Sequence, residues 1–295
     1  MSFVLGTSRR RLAACAVVAV AVAGVVAVAP SADASGRYHQ PVTAGSHYLA
    51  LGDSVAFGYR EFTNVPTPNY ADPTSFVGYP ENIGAELGVR TVNATCPGET
   101  SDSLINDKLL SYACETPTGY RTNFPLHVKY RTSQLLFALN FLQHHTDTRL
   151  VSLAIGANDG FLCQATTTDH CASEFAGVLA KIGKNVKTIL RSIRDVGHYR
   201  GQIVIVNYYS TNYTDPVQVG QSLALNQAMD VAAKPFHVSV ADGYGAFQRA
   251  AAQAGGDTCK AGLLTTLSTG GCGVHPSVAG QEVLAGAVER VVNHS

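Results

Sequence analysis

The chain has 295 residues, of which 46% are hydrophobic and 14% charged, and its 21 basic residues are balanced by 21 acidic ones. That length and apolar fraction suit one globular α/β domain with a substantial core. Because no excess of basic residues is present to track phosphates, the composition predicts no nucleic-acid partner.

The first 34 residues have the pattern of a secretory signal peptide. Three arginines, Arg9 to Arg11, precede an Ala/Val-rich run that ends in Ala32-Asp33-Ala34, as such leaders require. We expect cleavage after Ala34, with export by the Sec or the twin-arginine route. The alternative is an uncleaved anchor, because the apolar run approaches the length that spans a bilayer. Residues 35–295 are then predicted to form a single secreted domain, monomeric and without a stable membrane anchor.

Short apolar runs alternate with amphipathic segments along the rest of the chain. This alternation predicts an α/β fold, a three-layer α/β/α sandwich around a mostly parallel five-stranded sheet. The predicted strands are 47–51, 90–93, 150–155, 203–207 and 237–241. The predicted helices are 80–87, 133–144, 173–196, 218–233, 244–254 and 277–292.

Two stretches, residues 60–79 and 116–130, are too irregular for core elements, and we expect them to form substrate walls at the carboxyl edge of the sheet. Several apolar side chains lie in the sequence near these loops or near the serine and asparagine considered below as site residues. They suit an acyl chain, although they would equally suit internal packing. They are Phe57, Tyr59, Phe76, Val77 and Phe161.

Six cysteines remain once Cys15 leaves with the leader, and an even number in an exported protein favours disulfides over metal thiolates. Six cysteines allow fifteen pairings. Proximity in the sequence predicts local pairs, which would staple short loops around the candidate site. These pairs are Cys96 with Cys114, Cys163 with Cys171, and Cys259 with Cys272.

The first apolar strand ends in Gly52-Asp53-Ser54, which would lift a serine to the edge where open α/β sheets bind ligands. Ser54 is therefore a candidate nucleophile, and the alternative is that it caps the next helix. Gly98 and Asn158 follow later strands and could supply oxyanion donors, Gly98 through its N–H and Asn158 through its amide. Alternatively, Gly98 is a turn glycine and Asn158 a turn or cap residue.

One histidine is well placed to act as a base. His275 lies in the segment Gly270-Gly271-Cys272-Gly273-Val274-His275-Pro276-Ser277, just before the last predicted helix. Pro276 suits a first-turn position of that helix. A histidine on a loop fixed by a cysteine and a helix start could reach a serine on another loop.

Taken in order, Gly52-Asp53-Ser54, Gly98, Gly156-Ala157-Asn158-Asp159 and His275-Pro276 resemble the four blocks of the SGNH (GDSL) hydrolases. The resemblance implies a flavodoxin-like sheet and ester hydrolysis through an acyl-serine. It also implies an oxyanion hole formed by the Ser54 and Gly98 N–H groups with the Asn158 amide. The six cysteines resemble those of the secreted actinobacterial esterase, lipase and phospholipase A branch.

The chain departs from the family at one position. The family usually carries an aspartate three residues before the histidine, and here that residue is Cys272. We therefore expect the His275 Nδ1–H to donate to the carbonyl of Cys272 or Gly273, which gives a Ser-His dyad. The alternative is a distant carboxylate, with Asp242 and Asp257 as candidates.

The sequence thus predicts a secreted serine esterase or lipase that acts on a small-molecule or lipid acyl ester. No His-Glu-x-x-His motif is present and the cysteines are assigned to disulfides, so we predict no metal and no cofactor. An esterase for acetylated polysaccharides is an alternative within the same enzyme class. A catalytically silent surface-binding module is an alternative outside it.

Overall fold

Five parallel strands form the centre of the structure, a computed structural model that describes residue 38 and residues 40–294. The strands lie in the order β2-β1-β3-β4-β5. Their bounds are β1 (His47–Gly52), β2 (Arg90–Asn93), β3 (Thr148–Ala154), β4 (Gln202–Val206) and β5 (Ser239–Ala241). All neighbouring pairs are parallel, which confirms the predicted sheet.

The central strands are buried on both faces because helices cover the sheet from both sides. Every residue of β4 is buried, and so is every residue of β1 after His47. Continuous apolar runs are typical of such strands. The strand order reverses at β1, which pairs with β2 on one side and β3 on the other. Ligands of open α/β sheets bind at this reversal, next to the carboxyl ends of the strands.

Ten α-helices are described within residues 40–294. Contacts between helices place α2, α9 and α10 in one layer and α3, α5, α7 and α8 in another. Their bounds are α1 (Ser54–Phe57), α2 (Tyr79–Leu87), α3 (Ser101–Ile105), α4 (Tyr120–Asn123), α5 (Gln134–His144), α6 (Ala157–Thr166), α7 (Phe175–Arg191), α8 (Pro216–Ala233), α9 (Gly243–Ala250) and α10 (Val278–Glu289). The three-layer α/β/α fold is therefore confirmed. Helices α1, α3, α4 and α6 were not predicted. The first three span only 4, 5 and 4 residues, and the Gly-Ala-Asn-Asp start of α6 is typical of a turn.

A two-stranded antiparallel hairpin lies outside the central sheet and was also not predicted. It consists of β6 (Leu264–Thr266) and β7 (Cys272–Pro276). The glycines between the two strands are typical of a loop, so the sequence did not indicate strands here. The prediction that His275 lies on a loop is therefore wrong, since His275 belongs to β7. Pro276 is the last residue of that strand rather than a first-turn residue, and Ser277 caps α10.

The three predicted disulfides are confirmed. Cys96–Cys114 closes the segment that contains Gly98, and Cys163–Cys171 closes the end of α6. Cys259–Cys272 joins the segment before β6 to the first residue of β7. All three bridges are therefore attached to segments that carry predicted site residues, which are Gly98, Asn158 and His275.

The loops at residues 60–79 and 116–130 are irregular, as predicted, apart from a 3-10 turn at Pro73–Ser75 and the single turn α4. Phe57, Phe76 and Tyr120 are buried and pack against one another between them. Phe57 and Phe76 are thus internal packing residues of these loops, which is the alternative to a role as acyl-chain wall.

The predicted leader, residues 1–34, lies outside the described residues and stays a prediction. In the part of the chain that the structure describes, no helix has both the length and the apolar character that crossing a bilayer needs.

We predict that replacing Cys259 and Cys272 together by serine lowers the free energy of unfolding by about 2–5 kcal/mol, because the bridge restricts the unfolded chain. Urea unfolding of the oxidised protein measures this difference. The matched control replaces Cys163 and Cys171, whose bridge spans 8 residues instead of 13 and should stabilise less. An unchanged midpoint in the first variant would contradict the prediction.

Candidate active site

Ser54 and His275 lie together at the carboxyl edge of the sheet. The distance from His275 Nε2 to Ser54 Oγ is 3.0 Å, within the range for proton transfer between a nucleophile and its base. Ser54 is the first residue of α1, and the cap of that helix is Asp53. The alternative role of Ser54 as a helix cap is therefore wrong.

The sharp turn into Ser54 depends on Gly52. Its φ is +137°, and a Cβ there would lie 2.1 Å from the carbonyl oxygen of Ala154 in β3. Only glycine permits this approach of backbone to backbone. The turn therefore brings Ser54 over the crevice between β1 and β3.

The partner of the His275 Nδ1–H is a glutamate that the sequence did not indicate. Nδ1 lies 2.7 Å from Oε1 of Glu61, so the predicted donation to the carbonyl of Cys272 or Gly273 is wrong. The two aspartates considered as alternatives are engaged elsewhere. Asp242 caps α9, and Asp257 pairs with Lys260 at 3.1 Å.

Glu61 is held against the β6–β7 hairpin by several donors. Oε2 accepts from the hydroxyl of Thr265 at 2.6 Å, and Oε1 accepts from the Val274 N–H at 2.9 Å. Gly273 makes room for it, because a Cβ there would lie 2.0 Å from Glu61 Oε1. The carboxylate is thus fixed by the same strand that carries His275.

Backbone hydrogen bonds fasten the Glu61 loop along the hairpin. The Val65 N–H donates to the Thr266 carbonyl at 2.9 Å, and the Ser268 N–H donates to the Thr63 carbonyl at 2.7 Å. The ring of Tyr59 meets the His275 ring edge-on, with centroids 4.9 Å apart. Glu61 and His275 therefore belong to one continuous packed unit.

The charge state of Glu61 suits a partner of an imidazole. Burial alone would raise its pKa, but the hydrogen bond and the charge of His275, together with the Thr265 hydroxyl, lower the pKa to about 2. A carboxylate at this position fixes the tautomer with the proton on Nδ1. The Nε2 lone pair then faces Ser54.

Asp53 of the Gly-Asp-Ser motif supports the turn rather than the chemistry. Its Oδ1 accepts from the Val55 N–H at 3.0 Å, and its Oδ2 accepts from the hydroxyl of Tyr208. Burial raises its pKa to about 6, even though both hydrogen bonds favour the carboxylate. The side chain is fully buried and fixes the first turn of α1 under Ser54.

The two other predicted oxyanion donors lie in the segments expected. Gly98 has a φ of +84°, and a Cβ there would lie 2.5 Å from the Ala113 nitrogen, so the turn needs glycine. Asn158 lies in the first turn of α6, whose cap is Gly156, and the cap role is therefore wrong for Asn158. Its Nδ2 donates to the Glu99 carbonyl at 3.0 Å, which leaves its second N–H available to a ligand.

A cleft of about 270 Å³ opens at Ser54 and His275. Helices α6, α7 and α8 form its far wall, which is mostly apolar. Of the five aromatic and aliphatic residues suggested as an acyl wall, only Phe161 lines this cleft. The larger apolar side chains of these three helices that line it are Phe161, Phe175, Val178, Leu179, Ile182 and Leu225.

The described residues contain three clusters of metal-ligating type, and none of them is at Ser54. Two of the clusters include disulfide-bonded cysteines, which have no thiolate to offer. The third joins His47, His145 and Asp147, at the amino end of the sheet and away from the crevice.

Comparison with solved structures shows the same fold. An acetylxylan esterase from Geobacillus stearothermophilus is 17% identical, with a TM-score of 0.52, over 87% of this chain and 98% of that one. An alpha/beta hydrolase enzyme from the metagenome of Lake Arreo, Spain, is also 17% identical, with a TM-score of 0.50, over 85% and 96% of the two chains. A comparison with curated proteins finds no match.

A family model describes the whole region that holds the site. The model of the GDSL-like lipase/acylhydrolase family matches residues 50–283, a span that begins just before Ser54 and ends just after His275. The chain therefore belongs to the GDSL-like lipase/acylhydrolase family and is a carboxylic ester hydrolase.

Proposed function

We propose that the protein hydrolyses acyl esters through an acyl-serine intermediate, with Ser54 as nucleophile, His275 as general base and Glu61 as the acid that orients it. The observation that carries the proposal is the unbroken line of contacts from Glu61 through His275 to Ser54, at 2.7 and 3.0 Å. This constellation is recognised by geometry rather than by position in the sequence. It also argues against a silent binding module.

The reaction follows from these contacts. Ser54 Oγ attacks the ester carbonyl while its proton passes to His275 Nε2, and Glu61 stabilises the imidazolium that forms. The N–H groups of Ser54 and Gly98 and the Asn158 amide receive the oxyanion. His275 then protonates the leaving alcohol, and water repeats the sequence to release the acid.

The cleft favours a substrate whose acyl chain is longer than acetyl. Its wall is made of side chains such as Val178, Leu179 and Ile182 on α7 and Leu225 on α8, which would gain from covering methylene groups. An acetyl group would leave most of that apolar surface exposed to water. The substrate is therefore a small-molecule or lipid ester with an apolar chain.

The protein acts outside the cell in this proposal. Three disulfides in the described residues suit an oxidising compartment, and the first 34 residues carry a leader pattern. The mature amino terminus of protein recovered from culture medium should be residue 35.

We predict that Ser54→Ala keeps the fold and loses ester turnover by about a millionfold, as removal of a triad nucleophile does. Turnover of a chromogenic ester measures this effect, and circular dichroism checks the fold. A covalent phosphonate probe should label the wild type at Ser54. Labelling elsewhere, or full activity of Ser54→Ala, would exclude the mechanism.

We predict that Glu61→Gln lowers kcat about ten-thousandfold, because a neutral amide no longer stabilises the imidazolium. The matched control is Asp242→Asn, which alters a carboxylate that caps α9 and should leave kcat unchanged. If Glu61→Gln stayed within tenfold of the wild type, Glu61 would not be the acid.

We predict that Leu225→Trp shifts the preferred ester toward acetate, because the larger ring fills the cleft between α7 and α8. The ratio of kcat/KM for octanoyl and acetyl esters should fall by about tenfold or more, equivalent to about 1.4 kcal/mol. The control is Leu223→Trp on the same helix, at a residue that is half exposed and does not line the cleft. A wild type that prefers acetate would indicate the acetyl esterase instead.

A further inference from the structure

Glu99 is a carboxylic side chain beside the site that the mechanism does not use. It follows Gly98 directly and is completely buried. No Lys or Arg nitrogen lies within ion-pair distance of it in the part of the chain that the structure describes. A buried carboxyl without a paired cation is costly unless it is neutral or well hydrogen-bonded.

The three proposed oxyanion donors are all linked to Glu99. Gly98 precedes it in the chain, and Asn158 Nδ2 donates to its main-chain carbonyl at 3.0 Å. Its side-chain Oε2 accepts from Gln134 Nε2 at 3.1 Å. Gln134 in turn holds the end of β1, two residues before Ser54.

The Gln134 side chain makes two hydrogen bonds to the backbone of Gly52. The Gly52 N–H donates to Gln134 Oε1 at 2.5 Å, and Gln134 Nε2 donates to the Gly52 carbonyl at 3.0 Å. Both Gln134 and Glu99 are fully buried, so their amide and carboxyl groups are shielded from bulk water. The pair therefore connects the segment of Ser54 to the segment of Gly98.

We propose that Glu99 is a positioning residue that works as a neutral carboxylic acid. Its hydrogen bond with Gln134 holds the three proposed oxyanion donors at fixed positions relative to one another. This inference rests on the proposed function. Asn158 contributes a side chain from α6, Ser54 an N–H from α1, and Gly98 an N–H from the loop between them. Without the hydrogen bond between Glu99 and Gln134, each of the three donors could move independently of the others.

The hydrogen-bond pattern accommodates a neutral acid. The Ser103 hydroxyl lies against Glu99 Oε1, where it donates to a carboxylate. When Glu99 is protonated at Oε1, the hydroxyl instead accepts a hydrogen bond from the acid and donates its own hydrogen to the Thr100 carbonyl at 3.3 Å. Oε2 remains the acceptor for Gln134. Every polar atom of the group is then satisfied without a charge.

The surrounding charges also favour the neutral form. Burial and then the negative charge of Glu115 raise the pKa of Glu99 well above its usual range. The hydrogen bonds from Ser103 and Gln134, and after them the charge of Arg121, act in the opposite direction but are outweighed. Arg121 is 3.3 Å from Glu115 and also donates to the Tyr130 carbonyl, so its charge is largely engaged there. The Tyr130 hydroxyl donates to a main-chain carbonyl and adds no cation.

Neutrality matters because of where Glu99 lies. A carboxylate directly after Gly98 would oppose the negative charge that develops on the ester oxygen, in a site with little water to screen it. A neutral acid holds the loop without that repulsion. The same residue can therefore support the oxyanion hole only in its protonated form.

The first test is Glu99→Gln, an uncharged replacement that can donate to Ser103 and accept from Gln134. We expect its kcat to match that of the wild type at pH 7 within about threefold. Above neutral pH the wild type should lose activity as Glu99 ionises, while the variant should not. A kcat that differs by tenfold or more at pH 7 would overturn the neutral state.

Infrared difference spectroscopy gives a readout that packing alone would not move. The protonated-carboxyl stretch of the wild type at neutral pH should lose one component in Glu99→Gln. An identical spectrum in this region would show that Glu99 is ionised and would refute the proposal.

The second test removes the Gln134 amide that connects Glu99 to Gly52. Gln134→Leu should lower kcat about a hundred- to a thousandfold, as loss of an oxyanion donor does, with KM nearly unchanged. The control is Gln143→Leu on the same helix, whose exposed amide donates to the Val196 carbonyl at 3.3 Å and should have no effect. If Gln134→Leu folds and keeps wild-type kcat, the positioning role is wrong.

The two proposals fail in different ways. A wild-type protein that turns over no ester, or is not labelled at Ser54, would refute the proposed function. A wild-type protein that is labelled at Ser54 and active, with Glu99→Gln and Gln134→Leu both indistinguishable from it across the pH range, would refute only the role of Glu99.

Discussion

The close approach of β1 to β3 at Gly52 is the constraint on which the site depends. A side chain there would collide with the Ala154 carbonyl, so glycine alone lets the chain turn upward into Ser54. The same glycine offers both its N–H and its carbonyl to Gln134. The turn is thereby fixed on one side by β3 and on the other by Gln134 of α5.

The proposed base and its proposed acid are organised by a second unit, the β6–β7 hairpin. Cys259–Cys272 fixes the start of β7, and the Tyr209 hydroxyl donates to the Val274 carbonyl at 2.6 Å. The Glu61 loop then lies along the hairpin and contributes its carboxylate. In the proposed mechanism an acid three residues before the histidine is unnecessary, because Glu61 would fill that role from a loop near the other end of the chain.

Much of this arrangement followed from local patterns, and the remainder depended on distant contacts. The five strands and the disulfides were predictable because periodicity and proximity are properties of neighbouring residues. Ser54 and His275 lay in recognisable blocks. Glu61 is 214 residues from His275 and lies in a loop without a periodic pattern, so only the fold brings them together. For Phe57 and Phe76 the sequence left two roles open, a cleft wall and internal packing, because burial in a loop cluster leaves the same apolar pattern as a binding cleft.

The carboxyl groups around Ser54 separate by environment into two kinds. Glu61 faces an imidazole and a hydroxyl, which keep its pKa near 2 despite burial. Asp53 and Glu99 are more deeply buried, and burial raises the pKa of both. Full negative charge is therefore favoured on the imidazole side, where the proposed mechanism forms a cation, and disfavoured beneath the proposed oxyanion donors, where it forms an anion. Opposite environments of this kind are what a site needs in order to stabilise both charges of one transition state.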